Sequence, residues 1–296
     1  NPIHRAAGHW LWDHLALLAA MKQGLAAVAA QAGRWPISIG VDTWGVDFAI
    51  VDGAGLVTVP PHSYRDPRTV GVPDYLFAEI PAESIYGRTG IQGMPFNTIF
   101  QVWAMIRDQH HAPGPDDRLL LMPDLFNFFL TGVKAADVTN ASTTQLFDPV
   151  ARDWAGDLID RLGYPAWLWP TIRRPGTILG PLTDELRAEL AITSDADVVT
   201  VAGHDTASAI AAIPAVDPRF AYISSGTWSL IGVEIPTPIL TAAARSANFS
   251  NEQGVNGATR LLKNVAGMWL LEQCRPLWNA QGMDTALLVH VRLASA

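Results

Sequence analysis

Cysteine is nearly absent from this chain: Cys274 is the single one in 296 residues, which excludes an intrachain disulfide and any Cys-rich metal site. Histidine does not take over that role. The eight histidines include the adjacent pair His110 and His111, but none has the HExxH or similar spacing that brings two ligands to one helix face, so no zinc site is expected. Runs of positive charge are also missing. Twenty basic against 28 acidic residues give a net charge of −8, which argues against an electrostatic grip on nucleic acid or an acidic membrane. No stretch approaches the roughly 20 uninterrupted apolar residues of a membrane span, and the N-terminus, NPIHRAAGHW, lacks the apolar core of a secretory signal. Neither GxxxxGK[ST] nor GxGxxG occurs, so a P-loop and a Rossmann dinucleotide site are unsupported. The expectation is a soluble, cytoplasmic protein that takes a small neutral or magnesium-bound ligand.

What is there is a globular composition, 49% hydrophobic and 16% charged, sufficient for one large or two ordinary domains. From Trp12 the pattern reads as a helix with Leu15, Leu18, Met21, Leu25 and Val28 on one face, Asp13 as its cap and Gly33 as its stop. ISIGVD (37–42) reads as a buried strand, VDFAIVD (46–52) as an alternating one, and LVTVP as a third after a glycine turn. Helices are expected over 97–109, 118–132 and 154–163. An irregular Pro/Gly crossing follows over 165–181, and then a helix near Asp184 capped by Thr183. DVVTVAG (197–203) reads as a strand leading directly into an Ala-rich helix. FAYISS and TWSLIGVE form a strand pair joined at Gly226, and NVAGMWLLEQCRPLW (264–278) reads as a helix kinked or ended by Pro276. Strands, a helical insert and strands again indicate an α/β protein with two domains.

Four strings could carry chemistry. GHDTASA (203–209) places an acid and hydroxyls at the carboxyl end of a strand and the start of a helix, where open α/β sheets bind ligands. There Asp205 is either a general base toward a hydroxyl or, with Thr206, merely a helix cap. SSGTWS (224–229) is a glycine-centred turn whose Ser225 and Thr227 hydroxyls could meet a phosphate, although most such turns are only turns. DTWGVD (42–47) offers Trp44 as a flat face for a sugar ring and Gly45 as a point of close approach. Its plainer reading is that Asp42 and Asp47 solvate a hairpin end while Trp44 packs on a neighbour; a glycosidase pair is disfavoured because nothing nearby argues for a raised pKa. Arg65 and Arg68 in YRDPRT bracket a proline turn and either bind an anion or pair structurally with Asp66.

In this order DTWGVDF, YRDPRT, GIQGMPFNT, LLMPDLFNFFLTG, TNASTTQLFD, GHDTASA, SSGTWSLIG and LKNVAGMWLL resemble the FGGY carbohydrate kinases, over about residues 1 to 275. DTWGVDF, TNASTTQL, HDTASA and SSGTWSL are similar to the branch of that family that acts on L-rhamnulose. The resemblance implies an actin-like ATPase, ribonuclease H-like, two-domain sugar kinase fold. Residues 1–212 would be the sugar-binding domain without its first strands, and 213–296 the opening part of the nucleotide-binding domain. It implies transfer of the γ-phosphate of ATP, with Mg²⁺, to the 1-hydroxyl of L-rhamnulose; a related ketose such as L-fuculose or L-xylulose, or a non-catalytic sugar-binding remnant, are the alternatives. Matched position by position, Asp205 is the proton acceptor. Gly45, His204, Thr206 and Asn264 are sugar contacts, and Thr227, Gly226 and Glu272 fall at nucleotide positions. Two departures are that the family's D-x-G-x-x-S-x-R phosphate loop and its glycine-rich adenine segment have no counterpart here, residues 282 to 296 included, so the fold is expected to be incomplete at both ends. A third is Glu272, where the family pattern has glutamine and where a carboxylate would repel phosphate unless turned away.

Overall fold

The computed structural model describes residues 3–107, 113–193, 195–217 and 219–282; His110, His111 and the sequence from Met283 on lie outside them. The first helix, His14–Ala32, starts where the Asp13 carboxylate accepts from the Ala16 N–H at 2.9 Å and ends at Gly33 in the left-handed region. Both ends follow from residue type, since aspartate satisfies a free first-turn N–H and glycine carries no Cβ to clash. The packed face overlaps the expected one at Leu18 and Met21 only. Leu17, Leu18 and Met21 pack against the core, whereas Leu15 and Val28 are exposed, because an alanine-rich helix has so little contrast between faces that several apolar spacings fit it. This helix is long and apolar enough to cross a membrane by length and composition, contrary to the reading of the sequence; Ala29 is its one buried residue, three others are partly buried against the core, and it carries a Lys22–Glu189 ion pair of 2.5 Å.

Three sheets carry the architecture. In the first, Asp197–Val199 is central, with Ile178–Pro181 antiparallel on one side and Ser38–Ile39 parallel on the other. ISIGVD therefore yields only a two-residue edge strand, with Ile37 exposed rather than buried. In the second sheet Phe48–Val51 lies between Val57–Val59 and Arg118–Leu121, all antiparallel, with Phe48 opposite Leu121 and Ile50 opposite Leu119. Phe48 and Ile50 enter one apolar cluster while Ala49 and Val51 enter another. Both faces are covered, so the strand is uniformly buried instead of alternating. RLLL (118–121), expected as the start of a helix, is this sheet's third strand. The helix Met122–Thr131 follows with Pro123 in its first turn, where a missing N–H costs nothing, and stops at Gly132 in the left-handed region.

The third sheet orders Ala221–Ser225, Trp228–Ile235, Thr259–Ala266 and Ser250–Gln253, antiparallel throughout. The run expected as one helix over 264–278 begins as the end of Thr259–Ala266; the helix proper is Trp269–Ala280, and it continues through Pro276. Of the other expected helices, Thr98–Arg107, Gly156–Arg161 and Asp184–Glu189 are present, the last capped by the Thr183 hydroxyl. The strand Ser250–Gln253 ties the third sheet to the earlier part of the chain. Asn251 N donates to Gly90 O at 2.9 Å, Gln92 N to Ser250 Oγ at 3.0 Å and Gln253 N to Ser142 Oγ at 2.8 Å. This seam sets Glu252 beside the turn that follows Asp197–Val199.

Candidate active site

A cavity of about 530 Å³ opens between these parts. Thr43 N donates to Gly203 O at 2.9 Å and Asp205 N donates to Thr43 O at 2.8 Å, so the DTWG and GHDT segments run side by side into it. Asp205 opens the helix Asp205–Ala211; its Oδ1 accepts from Thr206 N at 2.6 Å and Thr206 Oγ1 at 3.3 Å, and the carboxylate is 56% exposed. The N-cap position is His204, without a side-chain cap, so Asp205 is not the cap; one of its oxygens bonds the next residue, and the carboxylate lines the cavity. The turn itself is clamped from below. Asp137 Oδ1 accepts from Gly203 N at 2.9 Å, from Thr139 N and Asn140 N at 3.0 Å each, and from the Thr139 hydroxyl. The same hydroxyl accepts from His204 N at 3.1 Å. Burial pushes the Asp137 carboxyl up to about 6 despite these bonds. Its neighbour Asp124, which accepts from Asp137 N at 2.9 Å, is raised well above the ordinary value by burial and by the Asp137 charge.

His204 is fixed from the third sheet. Its Nδ1 lies 3.2 Å from Glu252 Oε2 and 3.1 Å from Arg260 Nη2, and Arg260 bonds Glu252 at 2.8 Å. Arg260 is fully buried. Burial alone would raise the Glu252 carboxyl, but the Arg260 charge and His204 hold it below its usual range.

DTWGVD departs most from its plain reading. Asp42 is exposed, as a solvating residue should be, but Asp47 is fully buried and is no part of a solvated hairpin end. Its carboxylate accepts from Trp12 Nε1 at 2.6 Å, Trp44 Nε1 at 2.9 Å, Gln101 Nε2 at 3.0 Å and Tyr64 N at 3.1 Å. Burial pushes it up to about 6 against the pull of those donors. Between Gly45 and Asp47, Val46 sits at φ 68 with Asp47 N bonded back to Gly45 O, a strained γ-turn for a β-branched residue. Thr98 Oγ1 and Gln101 Nε2 hold its carbonyl at 2.7 and 3.3 Å. In YRDPRT, Asp66 receives Trp10 N, Arg68 N and His9 Nδ1, Arg68 reaches Gln101 Oε1 at 2.6 Å, and Arg65 lies over the Tyr64 ring.

Ser224 to Thr227 line the opposite side of the cavity, and Gly226 N bonds Trp228 O at 2.8 Å. Gly267 packs against this turn so closely that a Cβ there would lie 2.6 Å from Gly226 O. Gly45, His204, Asp205, Thr206, Gly226, Thr227 and Asn264, spread over more than 200 residues of sequence, therefore share one cavity. Glu272 is not among its lining residues; it lies on an exposed helix and bonds Arg275 at 2.9 Å. Trp12, Tyr64, Phe96 and Glu252 also line the cavity without any local sequence signal, because each arrives from a distant element. Among the described residues no group of three or more His, Cys, Asp or Glu could hold a metal ion. Magnesium, however, keeps most of its ligands from phosphate and water. Hydroxyls and small residues at the Gly226 turn suit a phosphate chain, with Asp205 and Glu252 as the carboxylates of the cavity.

Residues 2–211 match the N-terminal domain of the FGGY family of carbohydrate kinases. The chain is 43% identical over 278 residues to a rhamnulokinase of Bacteroides thetaiotaomicron, covering 94% of this chain and 57% of that one. It is 40% identical over 273 residues to a rhamnulokinase of Enterococcus faecalis, covering 92% and 54%. The chain thus spans about half the length of the curated relatives it matches. Among solved structures it is similar to a ligand-bound xylulose kinase from Lactobacillus acidophilus, at TM-score 0.81 and 18% identity over 93% of this chain and 56% of that one. It is also similar to a xylulose kinase from Rhodospirillum rubrum, at TM-score 0.78 and 19% identity over 99% and 60%. The fold is accordingly the actin-like ATPase fold of these sugar kinases, and the chain belongs to the FGGY family of carbohydrate kinases.

Proposed function

We propose that this chain carries the sugar site and the proton acceptor of an ATP-dependent ketose kinase that converts L-rhamnulose to L-rhamnulose 1-phosphate in the cytoplasm. The observation that carries the proposal is the meeting of His204, Asp205, Thr206, Gly45 and Asn264 with the Gly226–Thr227 turn around one cavity. Similarity to proteins named rhamnulokinase at 40–43% identity supports the choice of ketose.

Phosphoryl transfer proceeds through a loose transition state, so the protein's task is to position groups and neutralise charge. The half-exposed Asp205 carboxylate accepts the proton of the sugar 1-hydroxyl as that oxygen bonds the γ-phosphorus of ATP and the β–γ bridge breaks. His204, oriented by Glu252 and Arg260, and Thr206 and Asn264 hold the sugar hydroxyls, while Gly45 lets the backbone approach them. Thr227 and Gly226 face the phosphate chain; magnesium, when bound with ATP, offsets its charge. Glu272 lies outside the cavity, on the exposed helix and paired with Arg275, and takes no part in this scheme. In this reading residues 1–212 form the sugar-binding domain and 213–296 open the nucleotide-binding one.

The test is a coupled ADP-release assay on the full-length natural protein with Mg-ATP and L-rhamnulose, L-fuculose or L-xylulose. Turnover fastest with L-rhamnulose supports the proposal. Sugar binding by calorimetry without turnover on any ketose would instead identify a sugar-binding remnant.

A further inference from the structure

The lining of the cavity is of two kinds. One is polar, with His204, Asp205, Thr206, Glu252 and Asn264. The other is a continuous chain of ring contacts in which Trp44 meets Trp12 at 4.6 Å, Trp12 meets Tyr64 at 6.4 Å, Tyr64 meets Phe96 at 5.7 Å and Phe96 meets Trp228 at 5.7 Å. All five rings line the cavity.

Asp47 holds three of the five: the indole N–H groups of Trp12 and Trp44 and the backbone N–H of Tyr64 all point at one oxygen, Oδ2. A purely structural role explains this poorly. A fully buried carboxylate costs stability, and an apolar residue of similar volume would usually serve the core as well or better. What the carboxylate does that an apolar residue cannot is fix the rotation of two cavity-lining indoles that stand 32 residues apart in sequence, by holding the N–H of each.

Resting on the ketose kinase reading above, we propose that the wall positioned by Asp47 receives the deoxygenated, methyl end of the ketose. Asp47 is then a positioning residue that sets the preference for a 6-deoxyketose over its 6-hydroxy counterpart. The polar side binds the hydroxyl-bearing carbons next to the phosphate acceptor, and a terminal CH₂OH against the rings would lose hydrogen bonds to water without finding replacements. Specificity from one such group lies at about 10- to 100-fold.

The test compares kcat and KM for L-rhamnulose, which is 6-deoxy-L-fructose, with those for L-fructose, in the wild type and in Asp47→Leu, Trp12→Phe and Trp44→Phe. The phenylalanine variants keep an aromatic ring but remove the N–H that Asp47 holds, so they test the same contacts if Asp47→Leu fails to fold. The expected result is a kcat/KM ratio favouring L-rhamnulose by about 10-fold or more in the wild type. That ratio should fall toward one in the variants, through a raised KM for L-rhamnulose with kcat largely kept. A wild type that treats the two ketoses alike, or variants that slow both equally and leave the ratio unchanged, would overturn the inference while the kinase reading stands. Absence of phosphorylation of any ketose by the wild type overturns the kinase reading itself, and this inference with it.

Discussion

Replacing Glu252 by alanine removes the one carboxylate that bonds both Arg260, at 2.8 Å, and His204, at 3.2 Å. Arg260 is fully buried, and the Gln253 carbonyl at 3.2 Å is then its remaining acceptor from that strand. Stripping a buried charge of its partner costs roughly 3–5 kcal/mol, a large part of the about 5–15 kcal/mol that holds a folded protein together. At roughly 2 °C per kcal/mol for a chain of this size, the melting temperature should fall by about 6–10 °C. Glu252→Gln keeps an oxygen for Arg260 and should lose less, about 2 kcal/mol. In both variants His204 Nδ1 loses the Glu252 carboxylate and keeps only Arg260 Nη2 at 3.1 Å, so affinity for L-rhamnulose should drop by up to about 10-fold, one hydrogen bond's worth. Urea unfolding followed by tryptophan fluorescence gives the first quantity and calorimetry the second. An alanine variant within about 0.5 kcal/mol of wild type, the range of an ordinary surface substitution, and with unchanged sugar affinity would refute the claim that the third sheet orients the sugar site.

Asp124 is buried with its carboxyl raised well above the ordinary value by burial and by the Asp137 charge. A group whose folded pKa is raised contributes stability that is lost as pH rises through that folded pKa. Asparagine has no proton to lose and keeps the acceptor for Asp137 N, so the melting temperature of Asp124→Asn relative to wild type should climb as pH rises above the ordinary carboxylate range. A flat difference would contradict this. Gly267→Ala places a Cβ 2.6 Å from the Gly226 carbonyl; it should weaken Mg-ATP binding in calorimetry while sugar binding is kept. Gly45→Ala brings its Cβ to 3.0 Å from Thr143 Oγ1 and should show the reverse pattern, weaker sugar binding with nucleotide binding kept.

Where a signal was local, the sequence displayed it. Asp13, Gly33 and Thr183 mark helix ends because capping is a matter of a few neighbouring residues; the helix start at Asp205 is legible too, but the strand expected to run to Gly203 ends at Val199. Where a feature depends on what lies on the far side of an element, it was hidden. RLLL reads equally well as helix or strand until Phe48–Val51 pairs with it, and Phe48–Val51 alternates only if one of its faces meets water. The proposed base, the Gly226 turn and the proposed sugar contacts were singled out through motif order and the family resemblance. Asp47, Glu252 and Arg260 were not, because a carboxylate near glycine looks like a solvated turn, and an acid or arginine within a strand looks like an exposed residue. Their roles exist only once Trp12, Tyr64 and His204 arrive from elsewhere in the chain.

The central claim, that Asp205 is the proton acceptor of a ketose kinase, is tested most directly by Asp205→Asn in the coupled assay with L-rhamnulose and Mg-ATP. The account predicts that turnover falls at least about 100-fold, the lower bound of general-base catalysis, while calorimetric affinity for the sugar stays within a few-fold of wild type. Turnover retained near the wild-type rate would contradict it.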